Sequence, residues 1–466
     1  MTKNPIVTIV PTSNWGTWEG WGTSLAWWAK KFGNQDDLAD IFFSLNWQEL
    51  DGRNLPGLGL NIVRYNAGAC SWNKIGDAAM VVSPSMIVDR QMEAYWTDWF
   101  SSDSTSASWN WNVDLNQRAM MLKAKLRLAN RFELFSNSPV WWMCNNHNPA
   151  GADQGGNDNL QSWNVENHGI YLATIAQHAR DFWGILFESV EPFNEPDGNW
   201  WSGLKGTQEG CYFNPISQKP VINALRSELN NRGLSSTLVA ASDDNTYDDA
   251  IATWAALGEG VQTNIGRVNV HGYQEGNGRR DLLYSAIKSK GKSIWNSEYG
   301  EGDSTGRRLV SNLILDFRWL HPTAWIYWQV IDGFGWGLID EDVNTGLVGA
   351  VSQKYFILAM FSRHIREGMR ILDSGSDNVV VAYDENRLKL IVVAVNWGPG
   401  QYINFELSKF SQPSTDGSRV LRWRTQIGNG DQYADYPNDT FIRGTRFWSW
   451  FDTDTVQTFE IDHVKL

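Results

Sequence analysis

A chain of 466 residues with 42% hydrophobic content has room for one barrel-sized domain and a smaller companion, and no stretch of it reaches the ~18 apolar residues of a membrane span. A net charge of −13 disfavours nucleic acid and anionic membranes and points to a neutral ligand. The 27 Trp residues lean the same way: most must pack in the core, but an exposed indole also stacks on the C–H faces of sugar rings.

PIVTIVP (5–11) reads as a strand. Eight apolar or β-branched runs follow, near 18–27, 60–68, 132–138, 185–194, 236–243, 266–273, 292–299 and 323–330. Helix-period segments lie between them, including 114–130, where Asp114 reads as an N-cap, and 307–321. This alternation predicts a closed (β/α)8 barrel over residues 14–349. Two connections, 69–113 and 139–158, are too long for simple turns. The first carries Trp72, Trp96, Trp99, Trp109 and Trp111, expected as walls of a cleft at the barrel mouth. Beyond residue 350 a helix over 352–368 precedes strand-like runs at 378–383, 388–397, 401–407 and 455–461. Residues 1–13 with 350–466 are therefore expected to form an antiparallel β-sandwich side domain.

Cys70, Cys144 and Cys211 permit at most one disulfide, in any of three pairings, and lack zinc-site spacing. The seven His show no HExxH pattern, so no metal or other cofactor is expected. The first ten residues contain no signal-type apolar core, which fits a cytosolic chain or a mature form. The sequon Asn438-Asp439-Thr440 is compatible with secretion.

EPFNEPDGNW (191–200) sets Glu195 between an amide and a proline where the fourth strand should stop, and IWNSEYGEGD (294–303) sets Glu298 at the end of the seventh. The two are 103 positions apart, about three βα units, so they face each other across the barrel mouth. Glycosidic hydrolysis needs such a pair: a proton donor for the leaving oxygen and a carboxylate beneath the anomeric carbon, ~5–5.5 Å apart when configuration is retained. Glu191 and Glu301 are the neighbouring competitors and are expected as solvated rim charges. The rival for this barrel is a non-catalytic sugar-binding role, which leaves the matched carboxylates unexplained.

These residues, with PTSNWGTWEGWGTSLAWWAK, RYNAGACSW, FELFSNSPVWWMC, RVNVHGYQ, WNSEYG and LDFRWLHPTAWIYWQ, resemble glycoside hydrolase family 30, and within it the fungal endo-β-1,6-galactanase subgroup. The resemblance covers essentially the whole chain. It implies a (β/α)8 TIM barrel with an attached antiparallel β-sandwich. Glu195 is implied as acid/base, starting the cycle protonated, and Glu298 as nucleophile. Asn194 is implied to bind the sugar 2-hydroxyl, His271 and Tyr273 to flank the nucleophile, Arg64 to orient it and Trp328 to form a platform under the ring. Asn145, Asn146 and His147 are further candidates for hydroxyl contacts. The implied substrate is β-1,6-galactan on arabinogalactan, cleaved internally by a secreted monomer. Other activities in the family remain open: β-1,6-glucanase, exo-galactobiohydrolase, xylanase and glucosylceramidase-like. Product pattern is expected to depend on 69–113.

Overall fold

The computed structural model describes residues 4–342 and 345–466. Eight parallel strands close into a barrel: β1 Gly20–Ser24, β2 Ile62–Asn66, β3 Arg131–Phe135, β4 Ser189–Glu191, β5 Leu238–Asp244, β6 Arg267–His271, β7 Ser293–Tyr299 and β8 Ala324–Tyr327. β8 pairs with β1, Trp325 lying beside Trp21, so no edge is left open. All eight coincide with the runs read from sequence, because strands buried on both faces are near-continuous in apolar and β-branched residues.

The barrel interior is layered. Ile62, Trp295, Ala324 and Ile326 form an apolar plug. The Arg267 guanidinium lies 3.3 Å from the Trp295 ring centroid and joins a fully buried charged layer. There Glu133 accepts from Arg64 Nε at 2.8 Å and from Arg267, while Asn269 Nδ2 donates to it at 3.0 Å. Both sides of each pairing are desolvated, so loss of one partner strands a buried charge, at a cost of about 3–5 kcal/mol.

Helices on the outside follow local signals. Asn214 caps Pro215–Asn231, its Oδ1 accepting from Ile216 N at 2.8 Å and Ser217 N at 3.1 Å, with Pro215 at the first helical position. Thr246 caps Tyr247–Leu257. Asp114 precedes Leu115–Lys125 but does not cap it. Its backbone is left-handed (φ +53°), and its buried carboxylate accepts from Tyr65 and Gln117 instead, with burial first among the influences that push its pKa up to about 7.

Against the barrel lies a six-stranded antiparallel sheet built from Arg370–Leu372, Val379–Asp384, Lys389–Asn396, Thr455–Ile461, Leu421–Gln426 and Ala434–Asp435. A three-stranded sheet faces it across a core that includes Val381, Val392, Phe405, Phe447 and Phe459. In that sheet Ile6–Thr8 pairs with Gln401–Glu406, which pairs with Arg446–Phe451. The N-terminal strand joins in parallel, where an antiparallel sheet was expected. The helix expected over 352–368 spans Gln353–Ser362, with residues 363 onward in turns. Leu421–Gln426 and Arg446–Phe451 escaped the sequence reading, because Arg422 and Ser449 occupy buried positions while Arg446, Trp448 and Trp450 face outward, which breaks the apolar alternation.

The three cysteines are free thiols, all buried, and no disulfide pairing is realised.

Candidate active site

Four strand ends converge at the C-terminal mouth of the barrel, where βα loops place the reactive groups of such folds. Glu195 lies four residues past β4, on left-handed backbone (φ +45°). Three hydrogen bonds fix its peptide: its N–H donates to Asp243 O at 2.8 Å, and its carbonyl accepts from Trp201 Nε1 at 2.8 Å and Gly198 N at 2.9 Å. This over-determination holds a conformation that non-glycine residues rarely adopt. Glu298 sits inside β7, its Cα registered against His271 of β6.

Glu195, His271 and Glu298 each bring a side-chain O or N to within 4.8 Å of the others. His271 is fully buried, its Nδ1 3.1 Å from Glu195 Oε1 and 3.5 Å from Glu298 Oε1, its Nε2 3.5 Å from Asp243 Oδ1. Asn245 Nδ2 donates to Glu195 Oε1 at 2.7 Å. Tyr273 donates to Glu298 Oε1 at 2.8 Å. Arg64 Nη1 lies 3.6 Å from Glu298 Oε2 and donates to Ser297 O at 3.1 Å, while its other nitrogens bind Glu133 and Asp243.

The electrostatics follow from this geometry. Burial alone would lower the pKa of His271, but Glu298 and Asp243 overcome it and hold the imidazole well above its ordinary value, which favours its protonated form. Burial pushes Glu298 up to about 7; His271 and Arg64 pull it down while Glu195 adds to the rise. Burial also opposes the charge of Asp243, yet Arg64 and His271 bring it to about 2. Three groups this close suit a shared cation by distance, but the Arg64 guanidinium, 3.6 Å from Glu298, sets a fixed positive charge against one there.

The carboxylates open into a cleft of about 570 Å³. Its walls come from two segments: Trp200, Trp201 and 205–208 after β4, and Trp328 with 332–334 and Trp336 after β8. Trp27 and Arg90 complete it, and Trp328 meets Trp27 edge-on at 5.1 Å between centroids.

The structure thus gathers Glu195, Glu298, His271, Tyr273 and Arg64 in one hydrogen-bonded group and places Trp328 on the cleft wall. His271 stands nearer Glu195 than Glu298. Asn194 is buried, does not line the cleft, and its Oδ1 has no partner among the described residues. Asn145, Asn146 and His147 do not line it either. Glu191 and Glu301 are buried rather than solvated: Glu191 Oε1 accepts from Phe193 N at 3.2 Å, and Glu301 Oε1 lies 3.7 Å from Lys354 Nζ. The 69–113 connection contributes Arg90 alone to this cleft. Trp96, Trp109 and Trp111 stack with one another instead, at 4.9 and 5.4 Å, because clustered indoles bury more area together than on a rim. Asn245 was missed; its signal was an amide directly after the fifth apolar run, hidden in the acidic stretch DDNTYDD (243–249).

The family model for O-glycosyl hydrolase family 30 matches residues 5–263. An endo-β-1,6-galactanase of Hypocrea rufa is 57% identical over 460 residues, 99% of this chain and 95% of that protein. An exo-β-1,6-galactobiohydrolase of Bifidobacterium longum is 23% identical over 71% of this chain and 27% of its own length. Among solved structures, the catalytic domain of GH30 xylanase C from Talaromyces cellulolyticus superposes with a TM-score of 0.73 at 17% identity, over 99% of this chain and 100% of that one. The long sequence match and the barrel with its attached sheets agree, and the chain belongs to O-glycosyl hydrolase family 30.

Proposed function

We propose that this glycoside hydrolase cleaves internal β-1,6-galactosidic linkages in the galactan side chains of arabinogalactan, with retention of configuration. The observation that carries the chemistry is the approach of a Glu195 and a Glu298 oxygen to within 4.8 Å of each other in a cleft, compatible with the ~5–5.5 Å carboxyl separation of direct attack. The relative's printed activity, at 57% identity along nearly the whole chain, supports the linkage.

Glu195 is the acid/base and Glu298 the nucleophile. Asn245 and His271 both engage Glu195 Oε1, so the proton for the departing O6 belongs on Oε2. As Glu195 gives that proton up, Glu298 attacks the anomeric carbon, the C1–O6 bond breaks, and a galactosyl ester forms. The ester carries no charge, so Glu195, now anionic, takes a proton from water, whose oxygen attacks C1 and releases Glu298. Tyr273 steadies the nucleophile through its 2.8 Å hydrogen bond, and His271 and Arg64 oppose the effect of burial and favour its ionised form. Trp328 offers an apolar wall to the sugar, and Asn194 is assigned to the 2-hydroxyl on family resemblance alone.

The same reading divides the chain into a catalytic barrel over 14–349 and a side domain from 1–13 with 350–466, and treats the protein as a secreted monomer, since polymeric galactan lies outside cells.

Proton NMR of a β-1,6-galactan digest tests it. A β-anomer at the new reducing end before mutarotation, with early release of mixed oligosaccharides, is the expected result. First release of the α-anomer overturns retention, and release of dimer alone overturns the endo mode. No hydrolysis of β-1,6-galactan, with turnover of pustulan or xylan, overturns the substrate.

A further inference from the structure

A second groove, about 450 Å³, shares no lining residue with the catalytic cleft. Trp142 and Trp163 come from the segment after β3 and Trp99 from the connection after β2, so the groove is built on loops leaving the same end of the barrel as Glu195 and Glu298. Trp163 is 73% exposed and Trp99 45% exposed, while Trp142 is buried and meets Trp99 edge-on at 6.4 Å. An indole with three quarters of its surface in water lacks a packing explanation.

The polar part of the groove is made of three amides and His147. Asn167 Nδ2 donates to Asn164 Oδ1 at 2.7 Å, Asn164 Nδ2 donates to Gln161 Oε1 at 2.5 Å, and Gln161 Nε2 donates to Cys144 O at 3.1 Å. The relay fixes three side-chain amides in one orientation, as a recognition surface requires. Among the described residues no Asp, Glu, Lys or Arg lines the groove, in a chain carrying a net −13. Indole faces suit the apolar faces of pyranose rings, and oriented amides suit hydroxyls. The lack of Lys and Arg argues against a phosphate-bearing ligand, and the amide floor against a lipid surface.

We infer that the groove between Trp99 and Trp163 is a second saccharide-binding site that holds a segment of the neutral galactan chain while another part of that chain occupies the catalytic cleft. The inference rests on the substrate reading above for the identity of the sugar, but not for the existence of the site. Such a site raises affinity for a polymer that spans both grooves, with no effect on a ligand too short to do so.

The test pairs two measurements. Calorimetric titration of Glu298→Gln protein with a β-1,6-linked galactotetraose is expected to give two sites, and one site when Trp163→Ala is added. In otherwise wild-type enzyme, Trp163→Ala is expected to raise KM on long β-1,6-galactan about three- to tenfold and leave kcat/KM on an aryl β-galactobioside unchanged. Because Trp163 is exposed, the variant should fold, which circular dichroism checks; Asn167→Ala probes the amide relay independently and is expected to weaken the same site. A single site in both proteins with an unaltered polymer KM overturns the inference. So does self-association that Trp163→Ala abolishes, which would make the groove a contact between copies. If wild-type enzyme leaves β-1,6-galactan intact, the substrate reading fails by itself; the titration is then run with the neutral glycan that is cleaved, and one site against two decides the groove.

Discussion

Asn245 Nδ2 lies 2.7 Å from Oε1 of Glu195, the same oxygen that His271 Nδ1 approaches at 3.1 Å. With both donors on one oxygen, the other is left to carry the transferable proton. Asn245→Ala is expected to lower kcat about 10–100-fold on β-1,6-galactan, where the leaving group needs that proton. On a dinitrophenyl β-galactoside, whose leaving group departs unaided, bond cleavage should be nearly unaffected. An equal loss on both substrates would assign Asn245 to structure alone.

The raised pKa of Glu298 has a consequence for rate. The nucleophile must be ionised, so kcat/KM on the dinitrophenyl substrate should rise with pH through about 7 and be lost as pH falls below it. Glu195→Gln removes a carboxyl that, once ionised, adds to the rise, so the midpoint should move to lower pH. A midpoint that stays in place in that variant would deny the coupling between the two carboxylates.

It has a second consequence, for stability. A carboxyl whose folded pKa is raised binds its proton more tightly folded than unfolded, so its contribution to stability is favourable at low pH and is lost as pH rises from the ordinary carboxylate value of 4.5 through about 7. Glu298→Gln should abolish turnover and raise Tm at pH 8 by roughly 2–5 °C, with little gain at pH 4. Thermal scans at the two pH values check the sign. In Glu298→Gly, azide should restore cleavage and yield the inverted α-galactosyl azide.

Tyr273→Phe deletes the 2.8 Å donor to Glu298 Oε1 with little change of shape. About 10–100-fold should be lost from kcat, because the hydroxyl steadies both the attacking and the departing carboxylate. Pre-steady-state bursts measure the two steps separately.

Arg64 calls for a different experiment. It holds Glu133 and Asp243, both fully buried, and only then reaches Glu298 at 3.6 Å. Arg64→Met should therefore cost about 3–5 kcal/mol in denaturant unfolding as well as activity, a signature that Tyr273→Phe should not share.

The barrel was legible because eight strands buried on both faces must be written in β-branched and apolar residues, and their spacing carried Glu195 and Glu298 to facing strand ends. The cleft walls were not legible. Composition registers how many indoles a chain has but not which ones face water, so the cluster at Trp96, Trp109 and Trp111 drew attention away from Trp200, Trp201 and Trp336. Glu191 and Glu301 misled for a related reason: acids beside Pro and Gly read as surface, and only tertiary contacts reveal that both are enclosed. Asp114 looks like a cap from its neighbours, yet Tyr65, distant in sequence, claims its carboxylate.

The division of labour between strands and loops has a practical outcome. The reacting groups hang on or just past β4 to β7, tied to the charged layer beneath, whereas the surfaces a glycan meets first belong largely to the segments after β4 and β8. Chimeras that exchange 198–210 or 328–337 between homologues should therefore retune which polymer is accepted while the bond-breaking apparatus stays in working order, which makes this scaffold a candidate for engineering new glycan preferences by segment transplantation.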